Sequence, residues 1–432
     1  MSEKVKTAHE QTNDYAVQRV PEGGRKGFFS VAMVSAGFCI CMSGLMTGAS
    51  FAMGLSLQQA IIAALVGNLI LTFYGGAMGH AGAKEGVATS MLARPSFGFH
   101  GSKIIALVVA VTHAGWYAFQ CGFFGQTINA MFPEAGMITS VGIAAAWGGI
   151  LMMLSAYFGY KGLDILSKVV VPLISAVAII GVILTVNAND GWANLMALQP
   201  AQPMTLTAAI VAVVGSFACG AAAQGDITRY AKSPKVAWGG TIFGYMIANS
   251  FIILAGFITT RGTGAESLPY AMLALGLGFP ALLVLIGAQW TTNDNNLYTA
   301  SLGFCNCFAK LTKKQLTIIV GLIGTALGAA GAINYFVSWL NVLGVGLPPM
   351  AGIIIADYFI LHKQNYPLSR GDKYCNWNIV AFVSWAIACV VGYTVTWGIA
   401  SINSLVVGCV VYLIGMKLFG DKGKIGEHTQ EL

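Results

Sequence analysis

A chain of 432 residues that is 56% hydrophobic and only 9% charged, with a mean hydropathy of +0.72, is not an ordinary soluble domain. Apolar runs of roughly 20 residues, the length that crosses a bilayer, recur along it and mark a polytopic membrane protein. Its net charge of +7 calls for no nucleic-acid partner, because a positive-inside bias against an anionic inner leaflet accounts for it.

Residues 1–27 are polar and charged, with no apolar core followed by a small-residue cleavage site, so they read as a cytoplasmic tail and not as a signal peptide. Apolar windows follow at about 28–54, 58–79, 103–131, 138–157, 165–187, 205–228, 236–259, 270–304, 315–332, 335–361, 376–399 and 401–418. They predict about twelve transmembrane helices in a single domain over 28–418, with 419–432 as a second cytoplasmic tail. With the N-terminus inside, every lysine and arginine of the 23 except Arg261 falls on the cytoplasmic side. One missing span would scramble that sorting, so both termini are expected in the cytoplasm. The nine cysteines lie mostly inside apolar runs and read as small packing residues.

The first span contains "GFCICMSGLMTGAS", residues 37–50, and the sixth contains "GSFACGAAAQGD", residues 215–226. Such small residues allow close helix packing. Here, however, the two stretches lie five spans apart, so the second enters the membrane in the opposite sense. Transporters built from inverted repeats interrupt corresponding helices near the midplane to expose carbonyls to substrate and ion.

In the third span, Trp116 lies 13 residues beyond Lys103, which at about 1.5 Å per residue is roughly 20 Å into the membrane. Tryptophan is normally enriched at the interface, so a deep one points to a lined cavity. His113 and Gln120 share its helical face. Phe217 falls at a similar depth in the sixth span, and two rings facing a polar cavity can sandwich a planar heterocycle while His and Gln read its edge. Ordinary packing is the alternative for each of these residues taken singly.

The eighth span carries the most polar run of the chain, "QWTTNDNNLYTAS". The hydroxyls of Thr291 and Thr292 either bond back to the preceding turn or, with carbonyls released by a broken first helix, form a cage of neutral hard oxygens suited to Na+. Asp294 is an intramembrane carboxylate and therefore a coupling or structural candidate. Asp226 and Asp357, near helix ends with Arg229 or Lys363 in reach, are weaker ones. The six histidines are scattered and no Gly-rich phosphate loop is present, which argues against an enzyme or a primary pump.

These stretches, together with "LVGNLIL", "ARPSFGFHGS", "VVGSF", "QPAQP" and "PPMAGIIIADYF", resemble the bacterial cytosine permeases of the nucleobase-cation symporter (purine-cytosine permease) family, in order from about residue 25 to 415. The resemblance implies an all-α integral membrane protein with a LeuT-like inverted repeat, helices 1–5 and 6–10, plus two C-terminal helices, in the bacterial inner membrane. It implies a transporter and not an enzyme: a symporter of a nucleobase, cytosine foremost, coupled to Na+ by alternating access, with no cofactor and no obligate protein partner. It assigns Trp116, Phe217 and Ser216 to substrate, with His113, Cys219 and Ala288 bordering the pocket; Gln120 joins them from its place on the Trp116 face. Sodium falls to Thr291 and Thr292 with carbonyls near Gly37, Ile40 and Ala288. His113, Cys219 and Ala288 depart from the family's Gln, Ser and Asn, which keeps a purine or another heterocycle such as allantoin open, while Asp294 keeps proton coupling open.

Overall fold

The computed structural model describes residues 18–158, 161–308 and 311–430, so that residues 1–17 of the expected tail, Lys310 and the last two residues lie outside the described part. Twelve long helical segments follow one another among the described residues, where the apolar windows place them. They are α1 (Phe28–Cys39, resuming at Met42–Ser50), α2 (Leu57–Glu85), α3 (Phe99–Met131), α4 (Val141–Phe158), α5 (Lys161–Ala188) and α6 (Leu206–Ala222). They continue as α7 (Pro234–Thr263), α8 (Gly278–Cys307), α9 (Lys313–Ala329), α10 (Ala332–Leu361), α11 (Ile379–Thr394) and α12 (Ala400–Phe419). By length and apolarity alone six of these helices suffice to cross a membrane, and the bent α1 makes a seventh. α8 falls short of that test because its polar run interrupts an otherwise apolar helix.

Both interruptions read from the sequence are present. α1 bends by 51° at Ile40–Cys41, where Cys41 is fully extended (φ −142°, ψ 167°). α6 breaks at Phe217 (φ −130°, ψ 16°). Each broken helix is pressed backbone to backbone against a partner from the opposite repeat. A Cβ on Gly48 of α1 would overlap the Ile253 carbonyl of α7, and one on Gly256 of α7 would overlap the Leu45 carbonyl of α1. In α6, Val213 occupies the space a side chain on Gly67 of α2 would need. The pairs α1 with α7 and α6 with α2, along with α3 against α8 and α4 against α9, are the contacts that a two-fold relation between helices 1–5 and 6–10 requires.

One end of the bundle gathers the basic residues. There Arg25 donates to the Ala83 carbonyl (3.2 Å), Lys26 forms a backbone bridge with Ala231, and Arg94 reaches Gln430 (3.1 Å). Arg261, the single basic residue sorted to the other side, donates instead to the Ala52 carbonyl just past α1 (3.2 Å). The window at 376–399 is corrected at its start: Lys373–Asn378 is a strand, β1, pairing antiparallel with Lys424–Thr429, β2. Its aromatic residues Tyr374 and Trp377 favour a strand, and pairing with β2 supplies the backbone partners that a helix would otherwise provide. The C-terminal segment after α12 is thereby folded back onto the bundle.

Candidate functional site

The break in α1 leaves specific carbonyls without their helical donors. In a continuous helix the Cys41 amide would bond to Gly37 and the Gly44 amide to Ile40; here they bond to Cys39 (3.0 Å) and Cys41 (3.2 Å). The carbonyls of Gly37 and Ile40 are the two that the sequence reading assigned to sodium. α8 lies against the second half of α1. On α8 the Ala288 carbonyl accepts both the Thr291 hydroxyl (3.1 Å) and the Thr292 hydroxyl (2.8 Å). Three of the five assigned oxygens therefore converge on one turn of α8, and the donor set, hydroxyls and carbonyls only, fits a hard monovalent cation.

Asp294 lies elsewhere. Its carboxylate is fully buried and accepts the Ser155 hydroxyl of α4 at 2.8 and 3.0 Å, while Trp290 donates its indole N–H to the same hydroxyl oxygen (2.9 Å). The carboxylate is thus tied to α4 through Ser155. Asp226 accepts the Thr89 amide (2.7 Å) at the start of the helix Thr89–Phe97. Asp357 accepts Tyr412 (2.7 Å) and Tyr366 (2.8 Å) and has His362 at 3.2 Å, which makes it a knot between α10 and α12.

The aromatic pair flanks the α6 break. Trp116 is buried on α3, and its ring meets Phe336 edge-on at 5.9 Å. Phe217 meets Phe38 of α1 edge-on at 5.5 Å and Tyr245 of α7 at 6.0 Å. His113 and Cys219 join the two helices, with 4.0 Å between Nδ1 and Sγ. His113 sits three residues from Trp116 and Cys219 two from Phe217, so this contact brings the ring-bearing turns of α3 and α6 close together. Nδ1 of His113 also lies 2.8 Å from the Val109 carbonyl, to which it donates. In a neutral ring that leaves Nε2 as an acceptor.

Gln120, one turn further along α3, is completely buried, and neither of its amide atoms has a partner among the described residues. Buried polar atoms are otherwise nearly always paired, so this amide is one that an ordered water or a bound molecule could satisfy. Ser216 bonds to its own helix at the Val213 carbonyl (2.7 Å), and Ala288 is buried with no polar side chain to offer.

Sequence reasoning missed the wall supplied by α10. Phe336 touches Trp116, Phe119 and Phe123, and Trp339 lies against Gly115, where a Cβ would strike its ring. The indole N–H of Trp339 is buried and unpartnered among the described residues. The spacing of three between Phe336 and Trp339 was the available signal, since it puts both rings on one helical face.

Two oppositely directed broken helices, meeting beside an aromatic face with unpaired hydrogen-bonding groups, define a secondary transporter of LeuT-like fold. The solved structures agree. The inward-facing conformation of Mhp1 matches with a TM-score of 0.81 at 21% identity, covering 94% of this chain and 93% of that one. Mhp1 in a closed conformation with bromovinylhydantoin bound matches at 0.74 and 18%, covering 94% and 96%. Residues 20–415 match the family described as permeases for cytosine/purines, uracil, thiamine and allantoin. A cytosine permease of Escherichia coli (strain K12) is 33% identical over 404 residues, 94% of either chain. The chain belongs to this permease family, and it is a transporter, not an enzyme.

Proposed function

We propose that the protein imports a nucleobase, with cytosine the leading substrate, coupled to Na+ by alternating access, from a bacterial inner membrane with both termini in the cytoplasm. The observation that carries this reading is the meeting of the two broken helices, where Phe38 of α1 packs on Phe217 at the α6 break (5.5 Å), beside the His113–Cys219 contact that joins α3 to α6. The E. coli relative's name supports cytosine. Proteoliposomes test the whole reading: a Na+ gradient should drive labelled cytosine above equilibrium, and unlabelled cytosine should exchange for it in counterflow, which a channel cannot do. Uptake that merely equilibrates, with no counterflow, overturns it.

The contact between His113 and Cys219 favours a second reading of the substrate, a purine or an allantoin-like heterocycle. Two of the three positions that depart from the family touch each other, so they form one altered subsite rather than two independent changes. With Nδ1 committed to Val109, the imidazole presents an acceptor and selects an N–H on the ligand's edge, where a Gln would offer donor and acceptor alike. His113→Gln should therefore shift preference toward cytosine across a nucleobase panel. Combined with Cys219→Ser, it should depart from additivity by more than about 0.5 kcal/mol, as touching residues do. An unchanged ranking in both variants would assign His113 to packing.

A further inference from the structure

α11 and α12 lie outside the two repeats and leave between them a groove of ≈ 390 Å³ that no part of the transport site uses. Its α11 wall is Ile379, Val383 and Ile387, one residue per helical turn; Ile414 and Leu418 form the facing wall. These side chains are outwardly apolar: Val383 is 50% exposed, Ile414 53% and Leu418 67%. From Ile379 to Ile387 the groove runs about 12 Å at 1.5 Å per residue, most of the roughly 15 Å that one leaflet's hydrocarbon occupies.

At one end the character changes. The chain after α12 turns back over the start of α11, and it can do so because glycines meet Val380: a Cβ on Gly415 would lie 2.6 Å from Val380 Cγ1, and one on Gly423 would lie 2.5 Å from Cγ2. That turn sets Lys422 at the mouth of the groove. Lys422 is exposed, and among the described residues no ion pair holds it. Lys417 and Lys424, close in sequence, line a separate cavity with Asp357 and Lys373, so Lys422 is the lysine that this groove itself presents. The mouth lies at the basic end of the bundle, the level at which lipid phosphates meet a positively charged rim.

We propose that this groove is a binding site for one anionic phospholipid, with an acyl chain laid between α11 and α12 and the headgroup phosphate held at Lys422. An apolar trough of leaflet depth ending in a cationic side chain matches the two halves of such a lipid in the order a bilayer presents them. A free phosphate would use only the mouth. A second copy of the chain would use only the apolar walls. Because α12 is tied to α10 through Tyr412 and Asp357, a lipid seated here braces the helix that also carries Phe336 and Trp339.

The test uses the full chain purified in mild detergent, with dioleoyl phosphatidylglycerol, dioleoyl phosphatidylcholine and inorganic phosphate as probes. Native mass spectrometry should count one retained phosphatidylglycerol, which raises the melting temperature more than phosphatidylcholine does. Lys422→Gln, at an exposed position that folding does not depend on, should weaken phosphatidylglycerol by about fivefold, the worth of one lysine at an anionic surface, and leave phosphatidylcholine unchanged. Ile387→Trp should displace both lipids by filling the groove, and Val383→Trp serves should that variant fail to fold. Equal retention of the two lipids overturns the proposal in favour of ordinary annular lipid. A melting shift reproduced by inorganic phosphate alone overturns it in favour of a headgroup site without the groove, and a dimer that Ile387→Trp dissociates overturns it in favour of a second copy.

Discussion

Trp116→Ala should weaken nucleobase binding by about 1–3 kcal/mol, or about 5- to 150-fold, the range found when a single aromatic platform is removed from beneath a base. The ring does two jobs that the variant confounds. Under the proposed function it offers a face to the substrate, and it also packs edge-to-face with Phe336 of α10. Emptying a buried tryptophan site also costs about 3–5 kcal/mol of stability from lost packing, so the melting temperature will fall as well. Trp116→Phe separates the two, because a smaller ring retains a stacking face and most of the contact with Phe336. Binding measured by isothermal titration on both variants should then follow the order tryptophan, phenylalanine, alanine, with phenylalanine close to the native protein. An alanine variant that is folded and binds within twofold of the native protein rules out a base stacked on Trp116.

What was legible in the sequence follows from what local patterns can encode. The interruptions of α1 and α6 announce themselves because close backbone approach needs glycine and alanine, and a broken helix needs both in mid-span. The face of His113, Trp116 and Gln120 was legible for the same reason, being a single helix with its own period. Contacts between helices have no such signature. Nothing in the spacing of residue 113 and residue 219 shows that an imidazole and a thiol will touch across 106 positions, and the pairing of Asp294 with Ser155 across 139 is equally silent. The aromatic wall from α10 was hidden differently. Phe336 and Trp339 stand among apolar neighbours, and only the fold shows which face of α10 turns toward α3. β1 escaped notice because it abuts an apolar run, so a hydropathy window absorbed half of a strand into α11.

Removing either hydroxyl of the α8 pair should weaken Na+ binding strongly, and nucleobase affinity should fall with it. The carbonyl of Ala288 accepts the hydroxyls of both Thr291 and Thr292. The Ala288 carbonyl and the two hydroxyl oxygens would hold a bound Na+, which would supply the charge that couples transport to the ion gradient; each hydroxyl would then give up its bond to Ala288. Thr291→Ala or Thr292→Ala deletes one ligand from a small cage and leaves the ion under-coordinated. Linkage then fixes the second effect: if Na+ tightens nucleobase binding by some factor, the nucleobase tightens Na+ by the same factor, and losing one loses the other. Asp294→Asn is the discriminating comparison. An asparagine keeps the shape and still accepts the Ser155 hydroxyl through its carbonyl, so the tie to α4 is preserved while the charge is gone. Uptake by that variant should be slower yet still follow an imposed Na+ gradient. A proton-coupled carrier behaves in the opposite way: its uptake follows a pH gradient, ignores the replacement of Na+ by choline, and loses its coupling when Asp294 becomes asparagine. Proteoliposome uptake with each gradient imposed separately distinguishes the two, and full accumulation without Na+ would remove the α8 hydroxyls from the coupling step, leaving their bonds to Ala288 as purely structural.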